Sequence, residues 1–283
     1  MNEDGQITLV ATPIGNLEDF SIRAKKALQE ADIILCEDTR VTGKLLSAYA
    51  IDTPLESFHD HNEAQRIDLV LDRVKEGKSI ALVSDAGTPL MSDPGYRLIK
   101  AAIKEGVKIT GIPGANAALM ALTLSGLPPH PYMFIGFPPP RSAARQESFA
   151  TLCAAERAGL SVTLIWHEAP HRLLDMLEDM KKVFGADRKA VVARELTKKF
   201  EEVQRHSIEG LIQHFTQNPV RGEIIVLLAP PEPQQESQDD LDMRLLEALK
   251  TLSVKDAASV VANMVHLPKR VVYQRALELS KIG

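Results

Sequence analysis

From residue 7 to about residue 126, short apolar runs alternate with amphipathic stretches, the pattern of strands crossed over by helices in an α/β sheet. The apolar runs predict strands at 7–10, 33–36, 79–83 and 108–112. Residues 62–76 place Ile67, Val70, Leu71 and Val74 on one helical face that packs on the sheet. That helix stops at Gly77, a residue suited to the left-handed position after a helix.

Prolines then gather in Leu127-Pro128-Pro129-His130-Pro131, where fixed φ angles and missing N–H groups oppose both helix and central strand, so a domain boundary is expected there. A second α/β segment follows, with strands near 132–136, 162–166, 190–194 and 224–228 and a helix carrying Leu173, Leu174, Leu177 and Met180. It ends at Pro230-Pro231-Glu232-Pro233 and a polar run to Asp240. Beyond that linker Leu241, Leu245, Leu246 and Leu249 recur at helical spacing, Ser253 and Asp256 read as a capping box, and Pro268 suits the first turn of another helix. The expected organisation is an α/β domain at 1–126, a second α/β domain at 127–232 closing a cleft with the first, and a helix-turn-helix-like module at 240–283.

Composition narrows the function classes. The net charge is −5, so a nonspecific nucleic-acid coat is not expected, but residues 240–283 hold seven Lys or Arg against five Asp or Glu, a surplus of +2 that leaves −7 for the rest. Cys36 and Cys153 form no pairing motif, read as small buried hydrophobes, and fit a reducing cytoplasm. The start Met1-Asn2-Glu3-Asp4-Gly5-Gln6 is acidic and unlike a signal peptide, and no window approaches eighteen apolar residues, so no membrane span is expected.

The chemistry should sit where open α/β sheets bind ligands, outside the carboxyl ends of their strands. Four loops qualify: Ala11-Thr12-Pro13-Ile14-Gly15-Asn16, Glu37-Asp38-Thr39-Arg40, Ser84-Asp85-Ala86-Gly87-Thr88-Pro89 and Pro113-Gly114-Ala115-Asn116-Ala117-Ala118. Their small residues let a ligand approach the backbone, and a zwitterion with a purine fits such a lining, although any one loop alone reads as a tight turn. No G-x-G-x-x-G follows a strand, and Gly77-Lys78-Ser79 is no P-loop because Asp72 stands where the first glycine is required.

The segments TPIGN, EDTR, HDHNE, SDAGTP followed by SDPGY, IPGANA, GF before prolines, HEAPHRL, ARELTK and RGEIIVLL occur in order. Together they make this chain resemble the bacterial ribosomal RNA cytidine-2′-O-methyltransferases, whose tetrapyrrole-methylase-like fold has two α/β domains with S-adenosylmethionine in the cleft between them. The resemblance implies methylation of a cytidine ribose in the decoding centre of 16S ribosomal RNA within the small subunit, and a homodimer. It implies that Pro13, Ile14, Gly15 and the turn Asp85, Ala86, Gly87, Thr88 hold the methionine end of the cofactor, with Asp85 on the ammonium. Ala115, Asn116 and Ala117 would lie near the nucleoside, and Trp166, Ala193, Arg194, Gly222 and Glu223 would close over adenine and ribose. Where the family commonly has Gly-Pro-Cys this chain reads Gly114-Ala115-Asn116, and where it has Tyr, His167.

A ribose hydroxyl is a poor nucleophile at neutral pH, so a proton acceptor is needed, and Asp38, His59, Asp60, His61 and Glu168 are candidates near the cleft. His59 and His61 two apart could hold a metal; the plainer account is a loop in which Asn62 caps the next helix, no metal site is assigned, and a divalent ion such as Mg is allowed by the chemistry but not indicated. Glu168 and Glu195 read equally well as ion-pair partners of Arg172 and Arg194. Arg40, Arg141, Arg145, Lys269 and Arg270 are the candidate RNA contacts, each singly readable as solvated surface. A tetrapyrrole-precursor methyltransferase is the nearest rival reading, and a noncatalytic RNA-binding assembly factor is a rival of another class.

Overall fold

The computed structural model describes residues 5–232, 238–265 and 267–280. The expected polar linker at 233–237 and the acidic start at 1–4 lie outside them.

The first sheet is wholly parallel. Its strands are β1 (Gln6–Val10), β2 (Ile33–Cys36), β3 (Leu55–Ser57), β4 (Ser79–Val83) and β5 (Lys108–Ile112), in the order β3-β2-β4-β1-β5. Parallel strands need crossovers, and the helices α1 (Ile22–Glu30), α2 (Thr39–Ala48), α3 (Glu63–Lys75) and α4 (Tyr96–Lys104) supply them. Because side chains alternate across a strand, Ile7, Leu35, Ile80 and Leu82 pack with Val70, Leu71, Val74 and Leu98 of α3 and α4. Val10, Ile34, Ala81 and Val83 pack with Ala24, Leu28 and Leu46 of α1 and α2 on the other face. Gly77 follows α3 at φ +90°, as expected from the sequence.

The helix after β5, α5 (Ala117–Ser125), leads to the second sheet of β6 (Tyr132–Gly136), β7 (Thr163–Glu168), β8 (Lys189–Arg194), β9 (Glu202–Ser207) and β10 (Ile224–Leu228), ordered β6-β7-β10-β8-β9. Only β6 and β7 run parallel in it. Its outer face carries Leu164, Trp166, Val192 and Val226 under α6 (Ser142–Arg157), α7 (Leu173–Phe184) and α8 (Ile208–Gln217). Its inner face carries Ile165, Val191, Ala193, Ile225 and Leu227 against Ala118, Ala121 and Leu122 of α5 and Ile14. Residues 1–230 thus make one compact unit, with α5 tying the first segment to the second sheet.

Residues 231–283 form a separate unit. Its helices α9 (Gln238–Leu249), α10 (Val254–Val265) and α11 (Lys269–Leu279) enclose Leu241, Leu245, Ala258, Val261, Val272 and Ala276. Arg275 donates to both oxygens of Asp242 at 2.7 and 2.5 Å, joining α11 to α9. Ser253 accepts from the Asp256 N–H and donates to its carboxylate, the expected cap of α10.

Several details differ from expectation. The strands β3 and β9 were not foreseen: one has three residues, and the other is a polar edge strand with exposed Arg205 and His206. Leu174 and Leu246 are exposed, and Cys153 is only half-buried. Pro268 stands just before α11 rather than in its first turn. No helix among the described residues is long and apolar enough to cross a membrane.

Candidate active site

Three loops at the carboxyl ends of the first sheet are bonded into one cradle. After β1, the Thr12 N–H donates to the Gly87 carbonyl at 2.9 Å, and the Gly87 N–H returns to the Thr12 carbonyl at 3.1 Å. The Thr88 hydroxyl donates to the Ala115 carbonyl at 3.1 Å, and Asn116 accepts from the Leu119 N–H, capping α5. Gly87 sits at φ +83°, and a Cβ there would lie 3.2 Å from Ile14 Cγ2, so the backbone is bare where the loops meet. The β2 loop joins through the Asp38 N–H, which donates to Asp85 Oδ1 at 3.1 Å.

The cradle opens into a cleft of two lobes, about 870 and 830 Å³ including their solvent-filled mouths, which share Ile14, Asp85, Ala86 and Glu223. One lobe continues over Gly87, Thr88, Asp93, Asn116 and Ala117 to Phe134, Phe137, His167 and Ile225 of the second sheet and its loops. The other runs over Pro13, Gly15, Val41 and Lys44 to Lys198, which bonds Glu195 at 2.8 Å and Glu223 at 3.3 Å. Apolar walls with a few polar groups suit a ligand that is part ring and part charge.

The electrostatics favour a cation. Asp85 and Asp93 line the cleft, and neither forms an ion pair with any described residue. Withdrawal from water, then the carboxylates of Glu37, Asp85 and Asp60, push Asp93 up to about 7. Burial, then Asp85 and Asp60, raises Glu37. Across the cleft the His167 ring is stacked on Phe137 at 5.3 Å and meets Phe134 edge-on at 5.1 Å, and burial pushes its pKa down, so the ring is neutral.

Of the residues expected to hold the cofactor, Pro13, Ile14, Gly15, Asp85, Ala86, Gly87, Thr88, Asn116, Ala117 and Glu223 line this cleft. Ala115 contributes its carbonyl to the cradle. The rest are placed elsewhere. Trp166 is fully buried in the outer core against Phe149, because strand alternation turns its neighbour His167 toward the cleft instead. Ala193 is sealed in the core that α5 covers, Arg194 pairs with Glu202 at 2.5 Å, and Gly222 at φ +86° lies against Glu195, where any Cβ would collide.

None of the five expected proton acceptors lines the cleft. Asp38 caps α2 and is held at about 2 by hydrogen bonds from the Arg40 side chain and backbone, so it is a weak base. Glu168 shares the outward face with Trp166, is fully buried and pairs with Arg172 at 3.2 Å. Glu195 pairs with Lys198, not Arg194. Asp60 and His61 are exposed, His59 keeps a buried Nδ1 with no partner, and the two imidazoles meet edge to face at 5.9 Å. Asn62 stands at the start of α3 but does not cap it; its Oδ1 accepts from the His59 N–H and its amide donates to the Ser57 carbonyl, closing the loop on itself. Among the described residues no three His, Cys, Asp or Glu side chains could hold a metal ion.

Among the expected RNA contacts, Arg141, Lys269 and Arg270 are exposed, as is Arg40 beyond its pairing with Asp38. Arg145 is not available: it is buried and bonded to Asp179 at 2.6 and 2.9 Å. Asp93, Phe137 and Lys198 were missed as site residues; of these, Asp93 stands inside SDPGY, a motif whose order was noted while its carboxylate was not.

Comparison with known proteins completes the picture. The profile of the Tetrapyrrole (Corrin/Porphyrin) Methylases matches residues 6–212, and that of the RsmI C-terminal HTH domain matches residues 235–280. Ribosomal RNA small subunit methyltransferase I of Mesorhizobium japonicum is 42% identical, covering 96% of this chain and 91% of that protein. The protein of the same name from Escherichia coli O157:H7 is 40% identical over 98% and 96%, and that of Synechocystis 42% over 99% and 100%. Among solved structures, cobalt precorrin-4 methyltransferase superposes with a TM-score of 0.60 at 18% identity, over 81% of this chain and 96% of that one. Uroporphyrin-III-C-methyltransferase from Thermus thermophilus gives 0.54 at 19%, over 79% and 94%. At such identities these two establish the fold alone.

Proposed function

This chain belongs to the tetrapyrrole methylase family and, within it, to the ribosomal RNA small subunit methyltransferase I group, and from that premise we propose that it methylates the 2′-hydroxyl of a cytidine in the decoding centre of 16S ribosomal RNA, using S-adenosylmethionine. The observation that carries the reading is the cleft itself: a bare-backbone cradle at Gly87 beside two carboxylates without cationic partners. S-adenosylmethionine fits that chemistry, because it brings an ammonium and a sulfonium to a site whose carboxylates repel one another. When bound it supplies a methyl group on a sulfur that leaves readily. Asp85 would hold the ammonium, the 85–88 turn the methionine end, and Asn116 and Ala117 the nucleoside. The residues align hydroxyl oxygen, methyl carbon and sulfur, and alignment supplies much of such a rate.

In this reading residues 1–126 provide most of the cradle, residues 127–232 close it, and the enzyme acts in the cytoplasm. Self-association is part of the reading, supported by exposed Leu119 and Met120 on α5 and Tyr132 and Met133 on β6. The helical unit grips RNA through Lys269 and Arg270, exposed at the start of α11, where side chains can reach phosphates. Replacing both by alanine should lower the dependence of RNA affinity on log salt by about 2 while cofactor affinity holds. An unchanged salt slope would remove these two from the interface.

The deciding experiment incubates the protein and methyl-labelled cofactor with small ribosomal subunits isolated from a strain lacking the gene, then maps the product by mass spectrometry. Label on a cytidine ribose supports the proposal. No label on RNA, under any metal condition, would leave a noncatalytic RNA-binding factor in its place.

A further inference from the structure

The cleft holds four ionisable side chains on the lobe that reaches the second sheet: Asp85, Asp93, His167 and Glu223. Asp85 accepts a backbone N–H from the β2 loop, the posture of a group that anchors charge. Glu223 is largely exposed and shared with Lys198. His167 is clasped by two phenylalanine rings, and burial lowers its affinity for a proton. Asp93 remains, half-buried on the wall beside Thr88 and Asn116, with no ion-pair partner among the described residues. It follows Ser92 at φ +78° and precedes Gly95 at φ +117°, whose Cβ would lie 2.7 Å from Leu82 Cδ2, so packing dictates where this turn runs.

We infer that Asp93 is the group that takes the proton from the ribose 2′-hydroxyl as it is methylated. This rests on the function proposed above and names a base outside all five sequence candidates. The hydroxyl oxygen bonds to the methyl carbon, and the carbon–sulfur bond breaks with its electron pair going to sulfur. The hydroxyl proton passes to Asp93, and water then removes it. Glu37 and Asp60 act on Asp93 from two neighbouring loops and Asp85 from its own, with His167 and Glu223 also on the cleft wall, so its proton affinity follows the charge held among them. Positive charge bound beside Asp85 draws the proton off Asp93 and readies it as a base. Once methyl transfer cancels the sulfonium charge and leaves only the ammonium, Asp93 regains part of its affinity for the proton it has just received. A base is most effective with proton affinity near the working pH, and that is where these neighbours place Asp93.

The test compares wild type, Asp93→Asn and Asp93→Glu in single turnovers on small ribosomal subunits, with calorimetric titration of S-adenosylmethionine and of uncharged-sulfur S-adenosylhomocysteine in buffers of different ionisation enthalpy. Asp93→Asn should slow methylation about 100-fold or more, with partial rescue by Asp93→Glu. Cofactor affinity should stay within about fivefold of wild type. Wild type should release roughly half a proton on binding S-adenosylmethionine at pH 7, and less with S-adenosylhomocysteine. Asp93→Asn should release none. Methylation by Asp93→Asn within about threefold of wild type would overturn the assignment and leave the functional reading standing. Proton release unchanged by Asp93→Asn would overturn it as well. Failure of wild type to methylate the RNA would instead overturn the functional reading, and the base with it.

Discussion

Asp179 and Asp93 are both withdrawn from water, one beneath the outer helices of the second sheet and one on the wall of the cleft, and they respond in opposite directions. Burial pushes Asp179 up, but hydrogen bonds from Ser142, Lys182, Arg145 and Gln146 outweigh it and hold the carboxyl below its ordinary value. Asp93 has burial and three carboxylate neighbours but no such donors, and its pKa rises to about 7. The protein satisfies Asp179 with its own donors, whereas the cleft leaves Asp93 for something that binds.

The largest effect should come from spoiling the solved region. Arg145→Met removes both N–H donors to Oδ2 of a buried carboxylate and should cost about 3 kcal/mol, toward the low end for broken buried pairs because Ser142, Gln146 and Lys182 still serve Oδ1 of Asp179. Chemical denaturation measures it, and cofactor affinity of the folded fraction should not change. A loss below about 1 kcal/mol would mean the outer pair is no more structural than a surface one.

Second in size is the unsolved region. Asp85→Ala should weaken S-adenosylmethionine binding by roughly 10- to 100-fold, the worth of one charge-assisted contact, and lower stability by only about 1 kcal/mol, since it loses the hydrogen bond from the Asp38 N–H but no ion pair among the described residues. Calorimetry and a melting curve on the same sample distinguish the two effects. A fall in stability matching that of Arg145→Met would erase the contrast between the regions.

How legible these regions were in the sequence follows the same division. Strands β2, β4 and β10 fall where the apolar runs place them, because buried strands leave continuous hydrophobic signatures, and β5 and β6 fall in place too although they are half-exposed sheet edges. The edge strands β3 and β9 do not, since one is short and the other polar. The loop motifs lead to the cradle, but strand parity decides β7: Ile165 and His167 share one face and Trp166 and Glu168 the other, so Trp166 cannot reach the cleft that His167 lines. Helical spacing also held the fate of Arg145, which lies four residues before the core residue Phe149 on α6. Asp93 was not readable that way. Its neighbours Glu37 and Asp60 come from two other loops, and only the sheet order brings their charges to the β4–α4 loop that holds both Asp85 and Asp93.

The smallest predicted effect tests that gathering of charge directly, through stability rather than catalysis. An unfolded aspartate ionises near pH 4, while native Asp93 holds its proton until about pH 7. Between those values the native state binds more protons than the unfolded one, so the contribution of Asp93 to stability falls as pH rises through the window and is fully unfavourable above it. Asp93→Asn removes this contribution. The variant should match wild type below about pH 4 and exceed its stability at pH 8 by about 1–2 kcal/mol, a fraction of the full linkage value because the cleft is open to solvent. Denaturation midpoints at the two pH values give the difference. The opposite sign, a variant less stable at pH 8 than at pH 4 relative to wild type, would mean that Asp93 is held by donors like Asp179 after all, and the cleft would lose the property that separates it from the outer layer.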